Sequence, residues 1–203
     1  KAGGIEYPQI TFINDLIHPD YQPAEFRTTI IHEMAHNWFY GLLANNQTEF
    51  EWLDEGFTTM AEVMCMEHLF GTQDNYSYNP AGGWAGFFHV PVSIRRAGAL
   101  SYLQNVKSGR EFDPVNTFPD RFRGDGYISS YDKMAHILFM LQNVLGDSVF
   151  FKGMVTYFDT WKFKHPYPKD FIKIMEDVSQ RELGWFFDQW INTTRTLDYA
   201  VGK

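Results

Sequence analysis

Cysteine is all but missing from this chain. Cys65 stands alone, so no disulfide can close within the sequence and the fold has to be held by packing. Its setting in Val63-Met64-Cys65-Met66 reads as that of a small buried hydrophobe. One thiol does not distinguish an oxidising compartment from a reducing one, and cytoplasmic and periplasmic settings both stay open. Positive charge is scarce too: 17 Lys and Arg stand against 25 Asp and Glu, for a net charge of −8. No basic cluster of the kind that phosphate backbones require is present, which argues against nucleic acid as a partner. The same balance suits substrates with a positive amino terminus. No apolar run reaches the length of a membrane span, and no amino-terminal signal sequence is visible. Internal repeats and low-complexity tracts are likewise lacking.

Large rings are what the chain has in quantity. Six Trp and nineteen Phe sit among 203 residues that are 44% hydrophobic, enough to bury the aromatic core of one full domain.

The chemistry is concentrated at His32-Glu33-Met34-Ala35-His36. On a helix, residues i and i+4 lie one above the other, so His32 and His36 can aim two imidazole nitrogens at one point. Glu33 projects from nearly the same side and can reach a metal-bound water without binding the metal. Eighteen residues separate His36 from Glu55, inside Trp52-Leu53-Asp54-Glu55-Gly56-Phe57. Two imidazoles and a carboxylate form an open three-ligand zinc site whose fourth position is left to water and then substrate. Thr48-Glu49-Phe50-Glu51 reads as a capping box that opens a second helix from Trp52 to Leu69, with Glu55 as third ligand. Glu62, two turns on, can accept a hydrogen bond from the other ring nitrogen of a ligating histidine, against the plain reading of an exposed glutamate. Asp54 is expected to point away from the metal and to favour the positive end of the helix dipole. His18, His68, His89, His136 and His165 have no partner at ligand spacing and read as ordinary surface or core histidines.

Taken in order, Gly3-Gly4-Ile5-Glu6, the His-Glu-Met-Ala-His run with Trp38 after it, Trp52-Leu53-Asp54-Glu55-Gly56-Phe57 and Ser130-Tyr131-Asp132-Lys133 resemble the successive motifs of the gluzincin aminopeptidases, the alanyl aminopeptidase type of zinc metallopeptidase. Trp185-Phe186-Phe187-Asp188-Gln189-Trp190 resembles the end of that family's catalytic domain, so the resemblance covers nearly the whole chain. It implies a mainly α (α+β), thermolysin-like catalytic domain with a small N-terminal β remnant, one zinc ion, and removal of amino-terminal residues from peptides. It also implies roles: Glu6 binds the free α-ammonium of the substrate, Gly3 and Gly4 run along the substrate backbone, and Tyr131 stabilises the oxyanion. Tyr127, one turn earlier, is the alternative donor if its helix starts sooner, but Gly124-Asp125-Gly126 reads as a loop and Ser129-Ser130 as a cap, which favours Tyr131. Ile5, Tyr7 and Met134 depart from residues common in the family, which bears on side-chain preference and leaves the hydrolytic groups intact.

Glu33 is then the general base for attack by zinc-bound water and returns the proton to the leaving amine. A thermolysin-like endopeptidase would share His32, Glu33, His36 and Glu55 but have no use for Glu6 as an ammonium anchor. A non-catalytic peptide-binding module on the same fold is the other alternative, and the presence of Glu33, Glu55 and Tyr131 speaks against it.

Along the chain, periodicity predicts a strand over Glu6 to Ile13, a metal-binding helix from Ala24 to Leu43, a loop over Gly71 to Asn79 and a helical stretch from about Gly83 to Lys107. An irregular connection follows from Gly109 to Gly126. Further helices are expected over Ser130 to Leu145, Ser148 to Thr160, Lys169 to Ser179 and Leu183 to Thr193, with a strand-like tail from Arg195 to Val201. Residues 1 to 203 read as a single catalytic domain. Its start at the substrate-recognition motif implies a piece of a larger protein whose flanking domains lie elsewhere.

Overall fold

The computed structural model describes residues 3–15, 17, 19–20, 23–72, 76–78, 90–111, 113–124 and 126–195. It is mainly helical, as expected. The predicted single strand is instead an antiparallel hairpin, β1 (Gly4–Tyr7) and β2 (Ile10–Ile13), with Gly4 opposite Ile13 and Tyr7 opposite Ile10. Pro8 and Gln9 make the two-residue loop, and Gln9 takes a φ of 66°; proline followed by a left-handed residue is the combination that closes type II turns. A second hairpin that periodicity did not anticipate pairs β3 (Tyr76–Tyr78) with β4 (Val90–Val92).

Helix α1 (Pro23–Ala35) opens with proline at its first position and stops well short of Leu43. The Asn37 side chain donates to the Met34 carbonyl at 2.7 Å, competing for an acceptor that a continuing helix would use. Beyond it the backbone bonds tighten, with Trp38 N–H on Ala35 O, and then widen, with Gly41 N–H on His36 O and Leu43 N–H on Trp38 O.

Helix α2 (Glu51–Phe70) is the central element, and every residue from Trp52 to Met60 is buried. The expected capping box does not form: Phe50 is the N-cap and makes no side-chain cap bond. Glu51 is engaged elsewhere, as its carboxylate accepts from the Ser130 hydroxyl at 2.6 Å.

Helix α3 (Ile94–Lys107) starts at Ser93, whose side chain accepts from Arg96 N–H; the earlier part of its expected range is β4 or lies outside the described residues. The irregular connection is pinned by Asp113, which accepts from the Arg123 and Gly124 amides and the Arg123 side chain. The helix predicted from Ser130 begins sooner: α4 (Gly126–Ile128) runs through a π-helical turn over Ser129–Lys133 into α5 (Met134–Leu145). Helices α6 (Asp147–Trp161), α7 (Pro168–Ser179) and α8 (Gly184–Trp190) complete the described chain, each within a few residues of expectation. The tail beyond Arg195 lies outside the described residues.

The core is built on rings, as the composition suggests. Phe57 is in contact with Phe39, Trp52, Tyr157 and Phe171, with centroids 4.8 to 6.4 Å apart, and Phe171 meets Phe187 in turn. Burying one such side chain contributes about 1.5 to 3 kcal/mol, so this cluster clamps α2 against α6, α7 and α8. Among the described residues, no helix is long and apolar enough to cross a membrane.

Candidate active site

His32 comes from the last turn of α1, and His36 from the residue just past its end, where the chain is still helical enough for His36 N–H to reach His32 O. The two rings meet edge to face with centroids 4.9 Å apart. Across from them, α2 supplies Glu55. Its Oε2 lies 3.0 Å from His32 Nε2 and 3.3 Å from His36 Nε2, and ligand-capable atoms of the three residues lie within 4.8 Å of one another.

Both Nδ1 atoms are tied back. His32 Nδ1 meets Glu62 Oε2 at 3.0 Å. His36 Nδ1 meets Asp54 Oδ1 at 2.7 Å, with Phe39 O and the Thr58 hydroxyl each at 3.2 Å. This corrects the expectation that Asp54 points away from the site: its exposure is only 1%, and the crossing of α1 over α2 wedges the His36 ring between Asp54 and Glu55. With Nδ1 committed to an acceptor, each Nε2 is left to face the cleft as a potential ligand.

Two buried atoms here lack a directed hydrogen bond, His36 Nε2 and Glu33 Oε2. An orphaned imidazole nitrogen beside a second imidazole and a carboxylate fits a divalent ion that favours nitrogen and oxygen donors, zinc above all. An orphaned carboxylate oxygen next to that set fits a proton acceptor for water. His32, His36 and Glu55 could thus hold the metal, with Glu33 alongside.

Without a metal, carboxylates and imidazoliums hold one another. Burial alone would lower the pKa of His32, but hydrogen bonds to Glu55 and Glu62 carry it to about 9. For His36 burial is again outweighed, here by Asp54 and Glu55, and the value rises to about 11. Burial would raise Glu55, yet its hydrogen bond to His32 and the charge of the two imidazoles beside it hold it down at about 2. Glu33 is pushed up by burial, against the opposing pull of His32 and His36.

These residues line a cleft of about 530 Å³ whose walls also include Gly3, Gly4, Glu6, Tyr127 and Tyr131. Glu6, on β1, offers an oxygen within 4.8 Å of ligand-capable atoms of Glu33 and His36. Gly4 has a local task besides any contact with substrate: a Cβ there would fall 2.6 Å from Glu33 Oε1 and 2.7 Å from its Cγ, so only glycine leaves room for the Glu33 carboxylate beside the hairpin. Tyr131 stacks on His32 with planes 8° apart. Burial and then the Glu55 carboxylate, to which it is hydrogen-bonded, push its phenol well above the usual range, which keeps it a donor. Tyr127 lies on the outer face of Tyr131, centroids 4.0 Å apart, and is largely exposed. Its helix does begin early, yet Tyr131 remains the ring that touches Glu55 and His32. Ser129 and Ser130 are buried in the π turn and do not cap it. Among the remaining histidines, His136 bridges the Asp132 and Arg95 carbonyls and His165 bonds Ala44 O; His18 and His89 lie outside the described residues.

A donor set of two imidazoles and a carboxylate, with a second glutamate and a phenol over the open side, has the composition of an open three-ligand metal site. Residues 3–190 match the model of the peptidase family M1 domain, and the chain belongs to that family. It is 24% identical over 190 residues to aminopeptidase N of Lactococcus lactis subsp. lactis, covering 93% of this chain and 21% of that protein. It is 30% identical over 202 residues to aminopeptidase B of Mus musculus, covering 94% and 29%. Its fold is similar to that of a mutant M1 zinc metallopeptidase from Deinococcus radiodurans bound to a Tyr-Ser-Ala substrate, with a TM-score of 0.68 at 18% identity, covering 98% of this chain and 38% of that one. The chain thus spans less than a third of the length of these two curated relatives.

Proposed function

We propose that this chain is the catalytic domain of a zinc-dependent aminopeptidase that hydrolyses the amino-terminal peptide bond of peptides. The observation that carries the reading is the convergence of His32 Nε2, His36 Nε2 and Glu55 Oε2, with both Nδ1 atoms anchored to carboxylates and Glu33 buried beside them. When bound, zinc supplies a Lewis acid that polarises the scissile carbonyl and makes water acidic enough to react near neutral pH.

The protein groups do the rest. Glu33 accepts the proton of the attacking water at its unbonded Oε2 and delivers it to the leaving amine. The Tyr131 hydroxyl, on the open side of the ligand cluster beside His32 and Glu55, donates to the oxygen on which negative charge develops. A donor whose bond strengthens with that charge lowers the barrier. Glu6 receives the substrate's α-ammonium. Its closeness to the ligand cluster leaves space for one residue ahead of the scissile bond, which makes the reaction exopeptidic. The names of the curated relatives support the same substrate class.

Hydrolysis of aminoacyl fluorogenic amides, beside their N-acetylated forms and with and without zinc, tests the proposal on the parent protein. Zinc-dependent cleavage of the free amines alone is expected, and Glu6→Ala should weaken those substrates selectively. Cleavage of blocked substrates at comparable rates would move the assignment to an endopeptidase.

A further inference from the structure

The π turn that carries Tyr131 needs an explanation. Such turns hold one residue more than a regular helical turn and are rare, usually single, and poorly stable by themselves. Relaxing it into a regular α-helix would rotate the residues on one side by about 100° relative to the other. Something outside the helix must hold it.

Three contacts do so. On one flank Ser130, 1% exposed, donates its hydroxyl to Glu51 Oε2 at 2.6 Å; Glu51 lies one helical turn before Glu55 on α2. On the other flank the Lys133 ammonium pairs with the Glu111 carboxylate, with only 3% and 5% of the two side chains exposed. Glu111 sits just past α3 and also accepts from the Tyr102 hydroxyl of that helix at 3.4 Å. Between the flanks the turn rests on Gly56, the residue after Glu55. A Cβ there would lie 2.3 Å from Met134 Cγ and 3.0 Å from Ser130 O, so the glycine is what lets the π turn approach α2.

We infer that Ser130 and Lys133 are positioning residues for the Tyr131 hydroxyl: anchored to Glu51 and Glu111, they fix the π turn in the register that aims the phenol at Glu55. Neither touches the reacting atoms. Neither of them lines the cleft, whereas Tyr131 and Asp132, the two residues between them, do. A buried ion pair is an expensive way to gain stability alone; here it joins α3 to the one irregular turn of the active-site helix. The inference rests on the reading of Tyr131 as oxyanion donor.

The test is a double-mutant cycle in the parent protein. Ser130→Ala, and separately the paired change Lys133→Met with Glu111→Gln, which leaves no lone buried charge, are each made with and without Tyr131→Phe. Zinc content, KM and kcat are measured. With Tyr131 present, each change should lower kcat tenfold or more while KM stays within threefold and zinc remains at one per chain. In the Tyr131→Phe background the same changes should cost less than twofold, because there is no hydroxyl left to position. Equal losses in both backgrounds, or no loss in either, overturn the inference. Ser130→Ala removes a single oxygen and keeps the test decisive if the paired variant fails to fold. If Tyr131→Phe alone leaves kcat unchanged, the oxyanion assignment itself fails, and this inference with it.

Discussion

Replacing Asp54 should loosen the metal without touching any of the three ligands. The Asp54 carboxylate meets His36 Nδ1 at 2.7 Å with both side chains almost wholly buried, a charge-assisted bond of the stronger kind. Removing such a partner of a ligating histidine costs about 10- to 100-fold in metal affinity, or about 1.4 to 2.7 kcal/mol. The two ends of that range correspond to different substitutions. Asp54→Asn keeps an acceptor oxygen and the ring's orientation and loses only the charge, so about tenfold is expected. Asp54→Ala leaves Nδ1 with Phe39 O and the Thr58 hydroxyl, both at 3.2 Å, and opens a small cavity, which places it near the hundredfold end. Glu62 serves His32 at 3.0 Å but is more exposed, so water can replace it and Glu62→Gln should cost less than Asp54→Asn. Competition with a chelator of known zinc affinity measures all three. Wild-type affinity in both Asp54 variants, or Glu62→Gln as the weakest binder, would refute the reasoning.

Three further outcomes follow from the same geometry. Glu33→Gln should retain zinc and lower kcat by about 10²- to 10⁴-fold, the range for loss of a general base; steady-state kinetics beside metal analysis decides it. Gly4→Ala should displace the Glu33 carboxylate, whose Cγ as well as its oxygen lies within 2.7 Å of the added carbon, and so lower kcat while zinc affinity holds; unchanged turnover would show that Glu33 can shift at no cost. The metal-free protein should lose stability as pH rises. His32 and His36 have folded values of about 9 and 11, above the ordinary 6.5. Their contribution is therefore complete below pH 6.5 and disappears as pH climbs through 9 toward 11. Glu55, held at about 2, contributes above pH 4.5 and loses that only as pH falls toward 2. Thermal midpoints of metal-free samples across pH 6 to 10 should show the alkaline fall, and zinc-loaded samples should resist it, since metal binding requires those protons to leave.

The convergence of the candidate ligands is legible because spacing on a helix is geometry: His32 and His36 converge for the reason the i, i+4 relation implies, and Glu55 sits near the start of the helix expected for it. Asp54 was hidden because its orientation depends on where α1 crosses α2, which no periodicity within α2 encodes. Glu51 misled for a similar reason. Its spacing from Thr48 suits a capping box, but a hydroxyl 79 residues away at Ser130 captures the carboxylate. The early start of α4 was obscured by the glycines around Asp125, which read as a loop. The π turn left no local signature, since its anchors lie on α2 and just beyond α3. The β1–β2 hairpin is half visible: alternation marks the extended chain, and the reversal at Pro8-Gln9 depends on the positive φ of Gln9, a residue type that does not announce one.

Helix α2 carries Glu51, Asp54, Glu55, Gly56, Thr58 and Glu62, so one helix sets the phenol's turn, the proposed carboxylate ligand and the carboxylates behind both histidines. In an instrument this would be a common reference rail. Any slide of α2 is shared by the parts mounted on it, and their mutual alignment survives where separately mounted parts would drift apart. The tolerance that matters is then the seating of α1 on that rail, since α1 and the residue just past it bring His32, Glu33 and His36 to it.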